Sequence, residues 1–299
     1  MELRRRGVRR IRREQARDAL HRSLERRGGS PVGTPLRDLY ARDNPAARPV
    51  ETRTFWGAEM QVVLPELVSC EIHAYGLIEP ALSAFFIEAI DSGTTVYDVG
   101  AHLGYYSLLA AALGGDVHAF EPSRDTVEIL EANVVGAATV VPAAAWSGDG
   151  TLRLKDFGAA HSAVNTFLSS KDEDLVAPEV EYDVRALTLD GYARTTGTVP
   201  QLIKIDAEGA ELQVLQGARE TVRAVSPVIS IEVGDTSRER TSRRAIDLAI
   251  DLGYVPYDLT GEGLRRHDLR DVYGHGNVLL VPAGAPRAAS LTEALWRGR

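Results

Sequence analysis

One cysteine, Cys70, stands in 299 residues. That excludes an intrachain disulfide framework and any cysteine-based zinc cluster. Lysine is almost as scarce, with Lys155, Lys171 and Lys204 the three among 34 basic residues. The other basic residues are arginine, a bias of composition that implies no mechanism. No apolar run approaches the roughly 18 residues of a membrane-spanning helix, and the longest small-apolar stretch, around 108–113, falls far short. The opening residues are charged throughout, without the apolar core of a signal peptide behind them. The glycines follow no three-residue period, which excludes collagen. Hydrophobic residues at 44% and charged residues at 25% match a globular chain rather than a disordered one. The expectation is a soluble, cytoplasmic protein.

Charge is present but unevenly spread. The formal net charge is −8, yet residues 1–28 hold 11 Arg against Glu2, Glu14, Asp18 and Glu25, which leaves −15 for the rest. A body this acidic is a poor nonspecific partner for nucleic acid. The basic arm has the composition to dock on an acidic partner or an anionic surface. Its plainer reading is a solvated, partly helical extension, because Leu3, Val8, Ile11, Ala16 and Leu20 make no strong apolar stripe.

Punctuation and periodicity divide the chain. Residues 1–50 read as the basic extension, interrupted by Gly28, Gly29, Pro31, Gly33 and Pro35. Residues 51–93 read as a hairpin over 52–55 and 60–64, followed by a helix over 79–90. From 94 to 285 strands and helices alternate. Strands are expected at 95–99, 116–120, 139–142, 202–206, 228–233, 254–259 and 278–281. Helices are expected at 105–113, 126–134, 211–216 and 241–252, the second capped by Ser123 or Asp125. Such alternation implies right-handed crossovers and a parallel sheet. An insertion over about 144–195, with strands at 151–154 and 180–187 and a charged run at 171–174, interrupts the rhythm and lies over the sheet. Residues 286–299 read as a tail.

Four strand ends carry the candidate chemistry. The first is Asp98-Val99-Gly100-Ala101-His102-Leu103-Gly104, an apolar strand running into a glycine turn. Gly100 and Gly104 would let backbone approach a ligand closely, and ligands of open α/β sheets bind at the carboxyl ends of strands. The spacing G-x-x-x-G lacks the third glycine of the dinucleotide pattern G-x-G-x-x-G, which argues against a nicotinamide dehydrogenase. The second is Phe120-Glu121-Pro122, where the carboxylate of Glu121 is placed to accept from both ribose hydroxyls of a nucleoside. The third is Lys204-Ile205-Asp206-Ala207-Glu208-Gly209-Ala210-Glu211, a buried-type strand ending in carboxylates. Asp206 and Glu208 are expected to face the same cleft as Asp98, with Glu211 capping the next helix. The fourth is Glu232, which either lines the acceptor side or is an ordinary surface glutamate.

Together these motifs resemble class I S-adenosylmethionine-dependent methyltransferases, and more narrowly the FkbM family, over about residues 70–283. His102 stands where that family usually has Asn, and Ala207 where it often has Val. The resemblance implies a Rossmann-like seven-stranded sheet with helices on both faces, preceded by the hairpin and helix and interrupted by the insertion. It implies methyl transfer to a hydroxyl of a small molecule, a sugar or secondary metabolite, as in natural-product biosynthesis. S-adenosyl-L-methionine would be held by Gly100, His102, Gly104, Glu121 and Pro122, with Asp98 ordering the loop or reaching the cofactor through water. Ala144, Ala145 and Trp146 would pack on adenine. Asp206 and Glu208 are candidates for acceptor positioning, proton removal or a divalent metal, and His161 is the other candidate base. No metal is assigned; magnesium would suit these oxygen ligands better than zinc. The Asn/Asp-Pro-Pro-aromatic turn of base methylation is absent after 206, which weighs against a nucleic-acid substrate. The alternative is a degenerate methyltransferase fold that binds a partner through its basic arm.

Overall fold

The computed structural model describes residues 10–44, 46–167, 178–235, 241–260 and 263–284, the side chains of 163 and 164 excepted. The charged run at 171–174 and the tail at 286–299 lie outside the described residues.

Strands β3 (Thr95–Val99), β4 (Asp116–Phe120), β5 (Thr139–Val141), β9 (Leu202–Ile205) and β10 (Val228–Val233) are parallel. Two antiparallel strands, β13 (Gly276–Pro282) and β11 (Tyr254–Thr260), continue the sheet beyond β10. The full order is β12-β11-β13-β10-β9-β3-β4-β5. Among the described residues the sheet has eight strands rather than the expected seven. The eighth, β12 (Gly263–Arg266), is a short polar edge strand hydrogen-bonded back onto β11, with no apolar alternation to announce it.

Both faces of the sheet are covered, so its central strands β3 and β9 are mostly apolar, with Asp98 of β3 and Lys204 of β9 as the charged exceptions. Val96 and Val117 point into one core, with Leu82, Phe85 and Phe86 of α4 (Pro80–Ala89) and Leu108 and Leu109 of α5 (Tyr105–Leu113). Tyr97, Val99 and Phe120, one residue out of phase, point into the other. There they meet Leu212 and Leu215 of α8 (Glu211–Gln216), Val222 of α9 (Arg219–Val225) and Ile246 of α10 (Ser242–Asp251). Helix α6 (Arg124–Asn133) follows β4. Strand order reverses between β3 and β9, which opens a crevice at their carboxyl ends.

The expected hairpin is β1 (Arg48–Arg53) with β2 (Glu59–Leu64), so the boundary drawn at 50/51 falls inside a strand. Helix α3 (Leu67–Tyr75) follows, its first amides at Val68 and Ser69 capped by Glu66. The insertion folds as a separate three-stranded sheet of order β6-β8-β7, built from Ala144–Ala145, Gly150–Asp156 and Val180–Leu187. A 3-10 turn, Ala159–Val164, projects from it, and α7 (Leu189–Thr196) leads back to β9.

The basic extension departs from expectation. It forms α1 (Arg13–Arg27) and α2 (Thr34–Asp43), and α1 lies against the body rather than in solvent. Its buried residues are Ala16, Ala19, Leu20 and Ser23, a contact face too small in side chain to register as an apolar stripe. Arg17 pairs with Glu88, Arg13 with Asp91 at 2.8 Å and Arg27 with Glu71 at 2.8 Å. The Ser23 hydroxyl donates to the Tyr75 carbonyl at 2.7 Å. No helix among the described residues is long and apolar enough to cross a membrane.

Candidate active site

The crevice between β3 and β9 is a cleft with three kinds of wall. The glycine loop after β3 forms the floor, the ends of β4 and β5 form one side, and the turn after β9 forms the other. Val68, Ile72, Ile78 and Glu79, from ahead of the sheet domain, close over it, as do Ser162, Asn165 and Phe167 of the insertion.

Gly100 has φ +71°, and a Cβ there would lie 1.7 Å from the carbonyl oxygen of Asp206. Glycine is therefore required first because the backbone just past the end of β9 abuts the loop, where the Asp206 amide donates to the Val99 carbonyl at 3.1 Å. The bare backbone that results also faces the cleft. Gly104, in contrast, is not on the cleft wall. It caps α5 at φ +91°, and a Cβ would meet Leu130 Cδ1 at 2.7 Å and Val134 Cγ1 at 3.1 Å. The second glycine of the motif serves the packing of α5 on α6.

Glu121 is on the wall and is also the loop's clamp. Its two oxygens accept from the His102 amide at 3.0 Å and the Ser123 amide at 2.9 Å. Burial pushes this carboxyl up to about 7. His102 adopts φ +49° and hydrogen-bonds through Nε2 to the Ser162 hydroxyl at 2.9 Å, which ties the loop to the insertion. Burial lowers its pKa, so it is neutral at physiological pH. Pro122 and Ala145 line the same side, together with Ala143 and Ala144. Trp146 does not; its ring packs on Phe167 at 5.5 Å.

Asp98 lies beneath the loop, fully buried, and does not reach the cleft. It accepts from the Ser107 hydroxyl at 2.7 Å, and its other oxygen lies 3.6 Å from Lys204 Nζ. Lys204 is itself buried and lies 3.0 Å from Asp206 and 3.3 Å from the Gly100 carbonyl. One ammonium thus ties β3, the glycine loop and the end of β9 together. Burial opposes its charge, but Asp206, Asp98 and Glu79 hold its pKa above the ordinary lysine value. Burial works against Asp206 too, yet Lys204 keeps that carboxyl below the usual range.

Asp206 and Glu208 both line the cleft, and Glu232 of β10 joins them, each offering an oxygen within 4.8 Å of the others. Burial raises Glu208 well above the usual carboxyl range, with Glu232 and Asp206 adding repulsion. Among the described residues two cations serve the cluster, Lys204 at Asp206 and His275 at Glu232, the latter pair 2.9 Å apart. Glu211 takes the amides of Ala207 and Gly209 at 2.9 and 3.1 Å, and so holds the turn in shape. His161 is not in the cleft; its Nε2 accepts from Arg37 at 3.1 Å. Burial and then that guanidinium lower its pKa.

Sequence reasoning missed Glu79, which hydrogen-bonds to Tyr106 and Asn277 and sits ahead of the recognisable motifs. It also left Lys204 and His275 without roles. A lysine inside an otherwise apolar strand was the available signal for the first.

The arrangement of glycine loop, acidic β4 end and Asp206 turn is matched by a sequence model, the methyltransferase FkbM domain, over residues 98–256. The chain belongs to the FkbM methyltransferase family. The chain is 27% identical over 148 residues to the hexuronic acid methyltransferase AglP of Haloferax volcanii, a match covering 48% of this chain and 57% of that protein. It thus spans little more than half of that relative's length. Among solved structures, a methyltransferase FkbM from Methylobacillus flagellatus is 20% identical with a TM-score of 0.40, covering 64% of this chain and 44% of that one. Fibrillarin from Aeropyrum pernix, solved with bound S-adenosyl-L-methionine, is 10% identical with a TM-score of 0.36, covering 64% and 68%. For an FkbM-family chain, the floor, the acidic strand end and the turn after β9 all lie inside the matched span, whereas Glu79 and His275 lie outside it.

Proposed function

We propose that this protein is an S-adenosylmethionine-dependent O-methyltransferase acting on a hydroxyl of a small, sugar-like molecule. The observation that carries the reading is the cleft at the point where strand order reverses, with Gly100 and Glu121 on one side and Asp206 on the other. Likeness to a hexuronic acid methyltransferase favours a sugar-like acceptor.

The residues present fit the cofactor. Glu121 stands at the strand end where ribose hydroxyls are accepted, and Ala143–Ala145 leave a small-residue wall beside it. Asn165 Nδ2 is buried on the wall without a hydrogen-bond partner among the described residues, while its oxygen takes the Phe157 amide at 2.9 Å. A donor in that state is a place for a ligand acceptor atom. The carboxylates around the cleft suit a positively charged sulfonium.

When bound, S-adenosyl-L-methionine supplies an activated methyl group. The chain's task is alignment and proton removal. Gly100 and the His102 amide, held by Glu121, shape the floor. The Lys204 ion pair keeps Asp206 as a carboxylate, the form able to take a proton from an acceptor hydroxyl. Glu208, its carboxyl raised by burial, is suited to donate a hydrogen bond to an acceptor oxygen and orient it. Val68, Ile72 and Ile78 exclude water above the loop.

Calorimetric titration with S-adenosylmethionine and S-adenosylhomocysteine, followed by transfer of labelled methyl to uronic acid and neutral hexose glycosides, tests the reading. Micromolar binding is expected in the wild type. Glu121→Gln should weaken it by about 1–3 kcal/mol, the worth of hydrogen bonds to a buried polar group. A folded wild type that binds neither compound overturns the proposal. The alternative, a degenerate module that docks through its basic arm, has less support, because Arg13, Arg17 and Arg27 already pair within the chain.

A further inference from the structure

Sheet register brings three titratable side chains to one edge. Ile205 pairs with Ile231, so residues 206 and 232 emerge side by side from β9 and β10. Val233 pairs with Gly276, which sets His275 beside the same end of β10. Asp206 and Glu232 each offer a carboxyl oxygen within 4.8 Å of the other, a gap that a shared proton or one bridging water can span. Glu232 Oε1 lies 2.9 Å from His275 Nδ1. Asp206 is on the cleft wall, the Glu232 side chain is 15% exposed and that of His275 is 73% exposed. A line of closely spaced polar groups therefore runs from the cleft through a largely buried carboxyl to an imidazole in water.

We propose that Glu232 and His275 are positioning residues of a proton-exit relay that carries to solvent the proton taken up at Asp206. The proposal rests on the O-methyl-transfer reading, because alkylation of a hydroxyl liberates one proton per turnover. As the acceptor oxygen forms its bond to methyl, the methyl–sulfur bond breaks with its electron pair left on sulfur, and the O–H proton passes to the Asp206 carboxylate. The Glu232–His275 pair already holds a proton. That proton leaves from the imidazole to water, and the one on Asp206 crosses to Glu232. One proton enters and one leaves, and the line returns to its starting state.

The electrostatics are consistent with each step. Burial, with repulsion from Asp206, pushes the Glu232 carboxyl up to about 8. The hydrogen bond to Glu232 pushes His275 up to about 9. The other charged groups facing the line are Lys204 and Glu208 on either side of Asp206, Glu211 of α8 and Glu79 ahead of α4. Lys204 keeps the inner end deprotonated, so the gradient of proton affinity runs outward from Asp206.

Two measurements on the full chain test the relay. Nuclear magnetic resonance titration of the His275 imidazole in ligand-free protein should give a midpoint near 9. In Glu232→Gln it should fall toward the ordinary histidine value of about 6.5. Methyl transfer to a methyl glucuronoside probe should lose about tenfold in kcat in His275→Gln at unchanged KM. That is less than the roughly 100- to 10,000-fold of a direct general base, because Asp206 remains. Added imidazole should restore the variant and leave the wild type unaffected. An ordinary midpoint in a wild type that methylates the probe, a midpoint unmoved by Glu232→Gln, or full kcat in His275→Gln overturns the relay. So does a midpoint displaced by added magnesium, which would assign the carboxylates to a cation. A raised midpoint in a wild type that methylates no hydroxyl overturns instead the O-methylation reading on which the relay rests.

Discussion

Lys204→Met removes one charge from the centre of the molecule while keeping most of the side chain's volume. The ammonium lies 3.0 Å from Asp206 and 3.6 Å from Asp98, with the lysine 3% and Asp98 0% exposed. Without it a fully buried carboxylate is left uncompensated, a loss of about 3–5 kcal/mol when one partner of a buried pair is removed. Against a typical total of about 5–15 kcal/mol, that is a large share of the folding free energy. The loss should also depend on pH. Lys204 depresses the folded-state pKa of Asp206, so the pair's contribution is present above the unfolded carboxyl value of 3.8 and disappears as pH falls through the folded value. Without the ammonium, burial alone acts on Asp206 and favours its neutral acid, so the penalty should be larger near about pH 8, where that carboxyl must be ionised, than near about pH 4, where it can take up a proton. Urea unfolding at both pH values, read as a midpoint shift at constant m, measures this. Asp98→Asn in the Lys204→Met background should recover part of the loss. A penalty below about 1 kcal/mol, or one equal at the two pH values, would refute the assignment of Lys204 as the counter-charge of this site.

Gly104→Ala, at φ +91° and with Leu130 2.7 Å from the new methyl, should lose about 1–3 kcal/mol in chemical unfolding without changing cofactor affinity per folded molecule. The same substitution at Gly100 should abolish binding, because the methyl collides with the Asp206 carbonyl; calorimetry separates the two glycines. Arg17→Ala should cost about 1 kcal/mol and speed amide exchange across α1, since a partly exposed ion pair contributes modestly. Glu121 and Glu211 are raised from 4.5 to about 7 and Glu232 to about 8, so the folded state binds protons that the unfolded state releases. Stability of the ligand-free protein should therefore decline as pH rises from 4.5 toward 8, and thermal unfolding should occur at higher temperature at about pH 6 than at about pH 8.

Several elements are legible in the chain's own periodicity. The helices at 105–113 and 211–216 match α5 and α8, and the strand at 95–99 matches β3, because long buried runs bounded by glycine leave few alternatives. The strand ends at Gly100, Glu121 and Asp206 follow from those assignments, since a parallel sheet puts all its carboxyl ends on one edge. Other elements are not legible in this way. Helix α1 docks through two alanines, a leucine and a serine, a surface whose value depends on what faces it. Strand β12 is polar and held by main-chain bonds to β11.

By itself, then, the sequence determined the alternating fold, the cleft edge and the acidic residues that reach it. These depend on local periodicity and on the chirality of crossovers, both of which are written along the chain. Only the tertiary structure decided which motif residues line the cleft. It moved Asp98, Gly104, Trp146 and His161 off the cleft wall and brought Glu79 onto it, with His275 beside Glu232 at its edge. Whether a side chain faces a cleft or a neighbouring helix is set by contacts between residues far apart in sequence. The partner of Gly104 is Leu130, that of His161 is Arg37 and that of Glu232 is His275. None of those partners can be inferred from the residues adjoining it in the chain.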